Sequence, residues 1–472
     1  MSPHESPVPQ SSLSRRTFLK GALLAGTAIG FPFIHLPAYG AGSGRRIRVG
    51  LIGCGRMAQA HAQLLSNEPD VVFAALCDVD SVRLEKMRRK LVERFPDKSG
   101  GIKTHTDYAR LLADPDIDAV LIATPDHWHA LVAVEAALAG KDIYLEKPCT
   151  LTIAEGLALV DVASRQKTII QVGSQQRSMK QFIRACEIIR NGGLGRVSRV
   201  RIGLPVDVAG GRTAPMKVPA GLDYDRWLGP AKEVFYTEDR VHPQSELSRP
   251  GWLRVEPFCK GMITGWGTHH VDIAHWALDL VHTGPVKVSA RAEFLSPGLW
   301  DVHGKFQSTL EYAGGLQIEV GSGFDEGIRF EGDNGWLFVS REPIRPPGKP
   351  NGRPILQSLD AKDRNILKGD PGPIRLGTGV SHHRNWLDSI ISRKEPVAPV
   401  DQAHRSCTAC LLAYSAMKLG KDVRWDPELQ KFTDDAGAAR LMEIPERGNF
   451  SIPKALRLAR FEAGDFGLLG GI

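Results

Sequence analysis

A glycine-rich turn between a short apolar run and a helix-like segment constrains the fold of this chain more than any other feature. Residues 46–52 read RIRVGLI, and residues 53–58 read GCGRMA, which fits the pattern G-x-G-x-x-G/A. In such a turn the first glycine permits a tight bend, the second lets a pyrophosphate approach the backbone, and the small sixth residue allows close helix packing. The amides at the start of the next helix then face the phosphates. The turn predicts a dinucleotide site formed by Gly53, Gly55, Arg56, Met57 and Ala58.

An acidic residue closes the next predicted strand at the spacing that such a site requires. Residues 71–78 read VVFAALCD, and Asp78 stands twenty positions after Ala58. A carboxylate at this point binds the ribose 2′-hydroxyl of NAD and repels the 2′-phosphate of NADP. No arginine follows immediately, because Val79 and Asp80 come next. The sequence favours NAD over NADP, and a glycine turn beside a surface aspartate is the purely structural alternative.

Strands and helices continue to alternate after this turn. DAVLIAT at 118–124, DIYLEKP at 142–148 and TIIQVG at 168–173 read as strands, with helical segments between them. This alternation predicts an α/β fold with a parallel, doubly wound sheet of the Rossmann type. Ligands bind beyond the carboxyl ends of such strands. Besides the glycine turn and Asp78, these ends carry Thr124, Pro125, Glu146 and Lys147.

The second half of the chain has a different pattern. A long irregular stretch at about 205–262 is rich in proline, glycine and aromatic residues, and loops of this length are usually functional. The segments VKVSARAEF, FQSTLEY and LQIEVGSG then alternate polar and apolar residues. A period of two indicates an antiparallel sheet with one buried face.

Residues 123–148, ATPDHWHALVAVEAALAGKDIYLEKP, resemble the signature of the Gfo/Idh/MocA oxidoreductases. The segments VGSQQR and GGLGRV farther along are also similar to parts of that family, and the likeness covers most of residues 46–420. The resemblance implies a Rossmann domain followed by a C-terminal α/β domain with a large, open, mostly antiparallel sheet, which supports substrate sites and often oligomer contacts. We expect these domains at residues 45–168 and 169–446, a tail at 447–472, and a homo-oligomer.

The same resemblance assigns roles to individual residues. It implies that Thr124, Pro125 and His129 lie near the cofactor, and that Glu146 and Lys147 lie near the nicotinamide and the reacting carbon. An ammonium at a strand end can hydrogen-bond a substrate hydroxyl and stabilise charge that develops on its oxygen. Two alternatives stay open: Lys147 as an ordinary surface lysine, and a histidine at 129 that only packs within the fold.

The segment GMITGWGTHHVDIAHWAL at 261–278 resembles the family motif D-x-G-x-H-x-x-D. Gly267, His269 and Asp272 match, whereas Gly265 replaces the first aspartate. Histidine titrates near neutrality, so we expect His269 to take the hydroxyl proton while Lys147 polarises the oxygen. The missing carboxylate leaves open a slower reaction, a different substrate or loss of turnover. The residues expected at the substrate are Arg177, His270, Asp272 and His383.

The same histidine-rich segment also invites a metal hypothesis, because residues three apart share a helix face. His269, Asp272 and His275 have that spacing, and His270 is adjacent. The resemblance gives no support for a metal there, and the histidines have simpler roles in packing and capping. We therefore predict no metal.

The first forty-two residues read as an export signal. Residues 14–20 are SRRTFLK, an apolar run broken by glycines follows to Ile34, and small residues stand at 38–41. Paired arginines, a modest apolar segment and small residues are typical of the twin-arginine pathway, which exports folded proteins. The run is short and glycine-rich for a membrane anchor, which is the alternative. The sequence predicts a periplasmic or otherwise exported protein that engages the twin-arginine machinery.

Three functions fit these features. The first is an NAD(P)-dependent oxidoreductase acting on a sugar or polyol, with a cofactor held tightly and recycled because free NAD is scarce outside the cytoplasm. The second is an NAD-using glycosidase or lyase that oxidises its sugar transiently. The third is a nucleotide-retaining, sugar-binding protein without turnover. The net charge of +7 is scattered along the chain, so we expect no nucleic-acid partner.

Overall fold

Two sheets, each with its own helices, make up the part of the chain that the structure describes. The computed structural model describes residues 46–242, 251–433 and 443–459. The expected export signal at 1–42 lies outside these ranges, as do residues 460–472 of the expected tail. Within them, no helix has both the length and the apolar character needed to cross a bilayer.

The first sheet is parallel throughout. Its strands are β1 (Ile47–Ile52), β2 (Val71–Cys77), β3 (Lys103–His105), β4 (Ala119–Ile122), β5 (Asp142–Leu145) and β6 (Ile170–Val172). Their order is β3-β2-β1-β4-β5-β6. The accompanying helices are α1 (Arg56–Leu65), α2 (Ser81–Arg94), α3 (Pro96–Ser99), α4 (Tyr108–Leu112), α5 (Asp126–Leu138) and α6 (Ile153–Gln166). The order in which successive strands are added to the sheet reverses between β1 and β4, and a crevice opens at such a switch point.

The expected doubly wound Rossmann sheet is confirmed, and its strands form for the reason expected. All four residues of β4 and all four of β5 are buried, which is typical of parallel strands covered by helices on both faces. A capping box between Thr152 and Glu155 starts α6. The last strand, β6, lies just beyond residue 168, where we expected the first domain to end.

The second sheet is mixed and mostly antiparallel, as expected. Its strands are β7 (Val197–Gly203), β8 (Lys287–Phe294), β9 (His303–Glu311), β10 (Gln317–Gly321), β11 (Gly327–Gly332), β12 (Gly335–Val339), β13 (Leu359–Ala361), β14 (Val423–Asp426) and β15 (Lys431–Phe432). Their order is β13-β12-β11-β7-β10-β9-β8-β14-β15, and β7 pairs with β10 in parallel. The helices in this part of the chain are α7 (Lys180–Arg190), α8 (Tyr224–Leu228), α9 (Met262–Gly265), α10 (Gly267–Leu278), α11 (His382–Ser392), α12 (Val400–Leu419) and α13 (Ile452–Leu458).

One late helix, α11, packs against the first sheet rather than the second. Its residues Trp386, Leu387 and Ile390 are fully buried in the same apolar cluster as Val49 of β1 and Tyr144 of β5. A face of the Rossmann sheet is therefore covered by residues that lie more than two hundred positions farther along the chain.

The long irregular stretch forms a structure that we call the cap segment, residues 205–242 and 251–261. It has its own apolar cluster, centred on Trp227 and Phe258. Two backbone hydrogen bonds attach it to the loop after β2: the Asp223 amide donates to the Val79 carbonyl over 3.0 Å, and the Ser81 amide donates to the Gly221 carbonyl over 2.8 Å. The cap segment therefore lies over the carboxyl end of the first sheet.

Candidate functional site

A cavity of about 980 Å³ occupies the crevice between the first sheet, the cap segment and helices α9 and α10. Twelve of the sequence-predicted site residues line it, and they come from both halves of the chain. They are Gly53, Gly55, Arg56, Met57, Asp78, Thr124, Pro125, His129, Glu146, Lys147, His269 and His383. Ala58 lies behind the wall, fully buried in α1.

The two glycines of the turn have different structural roles. Gly53 has a φ of +90°, and a Cβ there would meet the Ala123 carbonyl oxygen at 2.6 Å, so the chain path itself requires glycine. Gly55 is the N-cap of α1, and a Cβ built there meets no described atom within 4 Å. The space above Gly55 belongs to the cavity and is available to a ligand.

The carboxylate of Asp78 closes the turn from the neighbouring strand. One oxygen accepts a hydrogen bond from the Cys54 amide over 2.7 Å, and the other accepts from the Asp80 amide over 2.8 Å. Burial raises the pKa of Asp78, and these two hydrogen bonds offset part of the rise. Arg83 and His242 line the same end of the cavity. An arginine, Arg83, is thus near this carboxylate although none follows Asp78 directly in the sequence.

The end of β4 presents an unsatisfied hydroxyl. The Oγ1 atom of Thr124 is buried and has no hydrogen-bond partner among the described residues. Buried polar atoms are normally paired, so this oxygen fits a hydrogen-bonding ligand in the cavity. His129 holds the turn itself, because its two ring nitrogens lie 2.9 Å from the Thr124 carbonyl and 2.7 Å from the Pro148 carbonyl.

Glu146 belongs to a buried hydrogen-bonded chain. Its Oε1 accepts from the Gln175 amide over 2.9 Å and lies 2.8 Å from Nε2 of His61, whose Nδ1 lies 2.8 Å from Nε2 of His383. Burial alone would raise the pKa of Glu146, but its bonds with His61 and Gln175 and the charge of Lys147 lower it to about 2. Glu146 is therefore ionised at any pH near neutrality.

Lys147 and His269 meet in the cavity from opposite domains. Nζ of Lys147 donates to the carbonyl oxygen of Gly265 over 2.7 Å. His269 is 3% exposed, and its Nδ1 has no hydrogen-bond partner in the described part of the chain. Burial, followed by the nearby charges of Lys147 and Arg341, holds the pKa of His269 well below its usual range. The imidazole is therefore neutral near pH 7.

Three residues expected at the substrate lie outside the cavity wall. Arg177 forms two 2.7 Å hydrogen bonds with the carboxylate of Asp272, and both side chains are buried. The Nη1 atom of Arg177 also donates to Gln402 over 2.7 Å. His270 is 1% exposed and packs edge-on against Trp266. None of the three is among the residues that line the cavity, and their expected contact with substrate stays a prediction. His383 does reach the wall.

The Arg177–Asp272 pair predicts a large effect on stability. Arg177→Met leaves the Asp272 carboxylate buried without its cation, so we expect the free energy of unfolding to fall by about 3–5 kcal/mol. Urea denaturation measures this. The half-exposed pair Arg165–Asp161 on α6 is the control, and Arg165→Met there changes stability by less than about 1 kcal/mol. Equal effects of the two variants would contradict a structural role for Arg177.

The candidate metal ligands do not converge. Nε2 of His275 lies 2.6 Å from the hydroxyl of Tyr312, and Asp272 is held by Arg177. In the described ranges, no three His, Cys, Asp or Glu side chains are grouped so that they could hold a metal ion.

Sequence reasoning missed several residues of the cavity wall: His61, Gln175, Trp266, Glu326 and Arg341. The sequence position of His61 could have indicated its place in the site. It lies on the helix that follows the glycine turn, and a residue on the buried face of that helix is close to the strand ends. Arg341 carried none, because it follows β12 with no motif around it.

Two family models match the chain, one for each sheet. The model of an oxidoreductase family with an NAD-binding Rossmann fold matches residues 47–174. The model of the C-terminal alpha/beta domain of the same family matches residues 208–346 and 376–452. The chain belongs to the Gfo/Idh/MocA oxidoreductase family.

This Gfo/Idh/MocA protein spans about half the length of the curated relatives that it matches. Myo-inositol 2-dehydrogenase of Thermotoga maritima is 30% identical over 39% of this chain and 49% of its own length. A glycosyl hydrolase family 109 protein of Shewanella baltica is 27% identical over 39% of this chain and 44% of its own length.

Solved structures agree with the fold over a longer range of the chain. The WlbA dehydrogenase of Bordetella pertussis, in complex with NADH and UDP-GlcNAcA, has a TM-score of 0.58 and 18% identity. The match covers 81% of this chain and 98% of that one. At this identity the likeness establishes the shared fold.

Proposed function

We propose that this Gfo/Idh/MocA protein is an NAD-dependent oxidoreductase that transfers a hydride between a carbinol carbon of a sugar or polyol and a nicotinamide. One observation carries the proposal: Lys147 and His269, an ammonium and a neutral imidazole, line the same cavity as the glycine turn. The dehydrogenase name of the Thermotoga maritima relative supports a polyol as substrate.

The cavity residues fit a dinucleotide. The open space above Gly55 suits a pyrophosphate at the start of α1, and Asp78 suits a ribose diol. The unpaired hydroxyl of Thr124 offers a further contact. When bound, a nicotinamide cofactor supplies the hydride acceptor. We propose NAD rather than NADP because the Asp78 carboxylate, although Arg83 lies nearby, repels a 2′-phosphate.

Residues of the chain itself handle the hydroxyl proton and the charge on the reacting oxygen. Lys147 donates a hydrogen bond to the reacting hydroxyl and stabilises the oxygen as its proton leaves. The neutral imidazole of His269 accepts that proton. The ionised Glu146 balances the charge of Lys147, and the Gly265 carbonyl fixes the ammonium where the family motif has a carboxylate.

Two experiments on the native protein test this function. Mass spectrometry of small molecules released on denaturation is expected to find NAD, and a panel of sugars and polyols is expected to change the nicotinamide absorbance. A protein that contains no nicotinamide and cannot bind it would overturn the proposal. Release of an aglycone without net redox change would instead favour the glycosidase alternative, which the Shewanella baltica relative's name supports.

Gly265 is the observation that favours the non-catalytic alternative. A Cβ built at this position meets no described atom within 4 Å, so the missing carboxylate would have had room. If both the native protein and Gly265→Asp bind sugars but neither transfers hydride, the binding function replaces the enzymatic one.

We further propose that the cofactor is retained through successive turnovers. The cap segment supports this, because it covers the crevice and Arg226 forms a 3.0 Å ion pair with Asp107 at the rim. The expected homo-oligomer stays a prediction, which light scattering of the purified protein measures.

We propose export by the twin-arginine pathway on the strength of residues 14–20 alone. Replacing Arg15 and Arg16 by lysine keeps the charge but removes the paired guanidinium groups that define the signal. Cell fractionation is then expected to find the double variant almost wholly in the cytoplasm, with the unchanged chain outside it. Equal distribution of the two forms would contradict this export route.

A further inference from the structure

Arg341 lies in the wall of the cavity and is held there by two contacts. Its guanidinium carbon lies 4.5 Å from the ring centroid of Trp266, within the range of a cation–π contact. Its Nε donates to the amide oxygen of Gln176 over 3.1 Å, and the Gln176 amide nitrogen donates to the His269 carbonyl over 3.0 Å. These contacts fix the plane of the guanidinium beside residue 269.

The two terminal nitrogens of this guanidinium have no hydrogen-bond partner and no ion-pair partner within the described ranges. Burial lowers the pKa of Arg341, and the charges of Glu146 and Glu326 offset part of that effect from beyond ion-pair distance. Arg177 shows the usual arrangement, with its guanidinium bonded to Asp272, Gln402 and Val397. Arg341 instead lines the cavity with four terminal N–H donors that have no described partner.

We propose that Arg341 binds an oxyanion carried by the substrate, so that the substrate is an acidic sugar bearing a carboxylate or a phosphate monoester. A planar fork of two nitrogens matches the oxygens of either group, and the resulting hydrogen bonds are charge-assisted. Lys147 and His269 lie on the same wall and take the reacting hydroxyl, while Arg341 takes the charged end of the sugar. This inference rests on the proposed function of the site.

The chain offers a matched control for this arginine. Arg329 also lies over a tryptophan, with its guanidinium carbon 4.2 Å from the Trp336 ring centroid. Its Nε donates to Glu331 over 3.1 Å, and it does not line the cavity. Arg329→Gln removes an equivalent cation–π contact from the same sheet without touching the site.

Calorimetric titration of the NAD-loaded protein tests the proposal, with glucose, gluconate, glucuronate and glucose 6-phosphate as probes at constant ionic strength. We expect at least one charged sugar to bind about tenfold or more tightly than glucose. Arg341→Gln is expected to lower the affinity for that charged sugar by about 10- to 100-fold and to leave the affinity for glucose nearly unchanged. Arg329→Gln is expected to change neither affinity. Preference for gluconate or glucuronate assigns a carboxylate, and preference for glucose 6-phosphate assigns a phosphate.

Three outcomes would overturn the inference: no charged sugar binds better than glucose, the preference survives Arg341→Gln, or Arg329→Gln removes it equally. Failure of the proposed function can be distinguished from failure of this inference. If a neutral polyol transfers hydride and charge gives no advantage, the function stands and the role of Arg341 falls. If charged sugars bind through Arg341 but no hydride transfer follows, the role of Arg341 stands and the function falls.

Discussion

Lys147→Met is expected to lower kcat by about 100- to 1,000-fold while leaving the NAD content of the protein unchanged. Methionine keeps most of the length of the side chain but removes the ammonium that we propose faces the reacting oxygen, and loss of one such donor has an effect of this size. Because Nζ bonds only the Gly265 carbonyl in the described structure, its removal leaves one acceptor at the cavity wall rather than a disrupted core.

Steady-state turnover on the best substrate found, together with cofactor released on denaturation, measures both parts of this expectation. Lys394→Met serves as the control, because Lys394 is exposed on the surface and is not part of the cavity wall. Turnover that survives Lys147→Met would remove this lysine from the reaction. Loss of bound NAD together with turnover would assign it to cofactor binding instead.

Gly55→Val is expected to weaken NAD binding by about 100-fold or more without unfolding the protein. The backbone at Gly55 has φ −74° and ψ −167°, which any residue adopts, and its Cβ position is open. Valine is therefore compatible with the fold, but its side chain fills the space that the pyrophosphate needs against the backbone.

Cofactor content and the midpoint of urea unfolding, measured on the same preparation, separate these two effects. Gly323→Val is the matched control, because Gly323 is exposed and a Cβ there also meets no described atom within 4 Å. Full NAD content in Gly55→Val would show that the dinucleotide does not cross this turn. A large fall in the unfolding midpoint would show that the residue is needed for the fold.

The sequence was sufficient for the architecture wherever the decisive signal was local. The buried strands β4 and β5 are continuous apolar runs, and the turn at Gly53 needs a conformation that only glycine adopts easily. The position of α11 was not predictable in this way. Its apolar face suits either sheet, and only the tertiary structure shows that Trp386 packs on the first one.

The site residues, too, were predictable only where the sequence signal was local. Motifs identified Lys147 and His269 because neighbouring residues fix their positions at a strand end and a helix start. A charged residue in a motif does not reveal whether its partner is protein or ligand, which is why Arg177 and Asp272 were expected at the substrate but form a buried ion pair. Arg341 and His61 reach the cavity through packing between distant elements, and no local pattern records that.

The covering of the first sheet by α11 has a consequence for biosynthesis. A nascent chain passes through the ribosome from its N-terminus, and domains generally mature in that order. Here the nucleotide half stays incomplete until residue 392 and the tunnel length behind it have emerged, because Trp386, Leu387 and Ile390 arrive last. Its apolar face therefore stays uncovered until most of the chain has been made, and we expect the proposed dinucleotide to bind only after that.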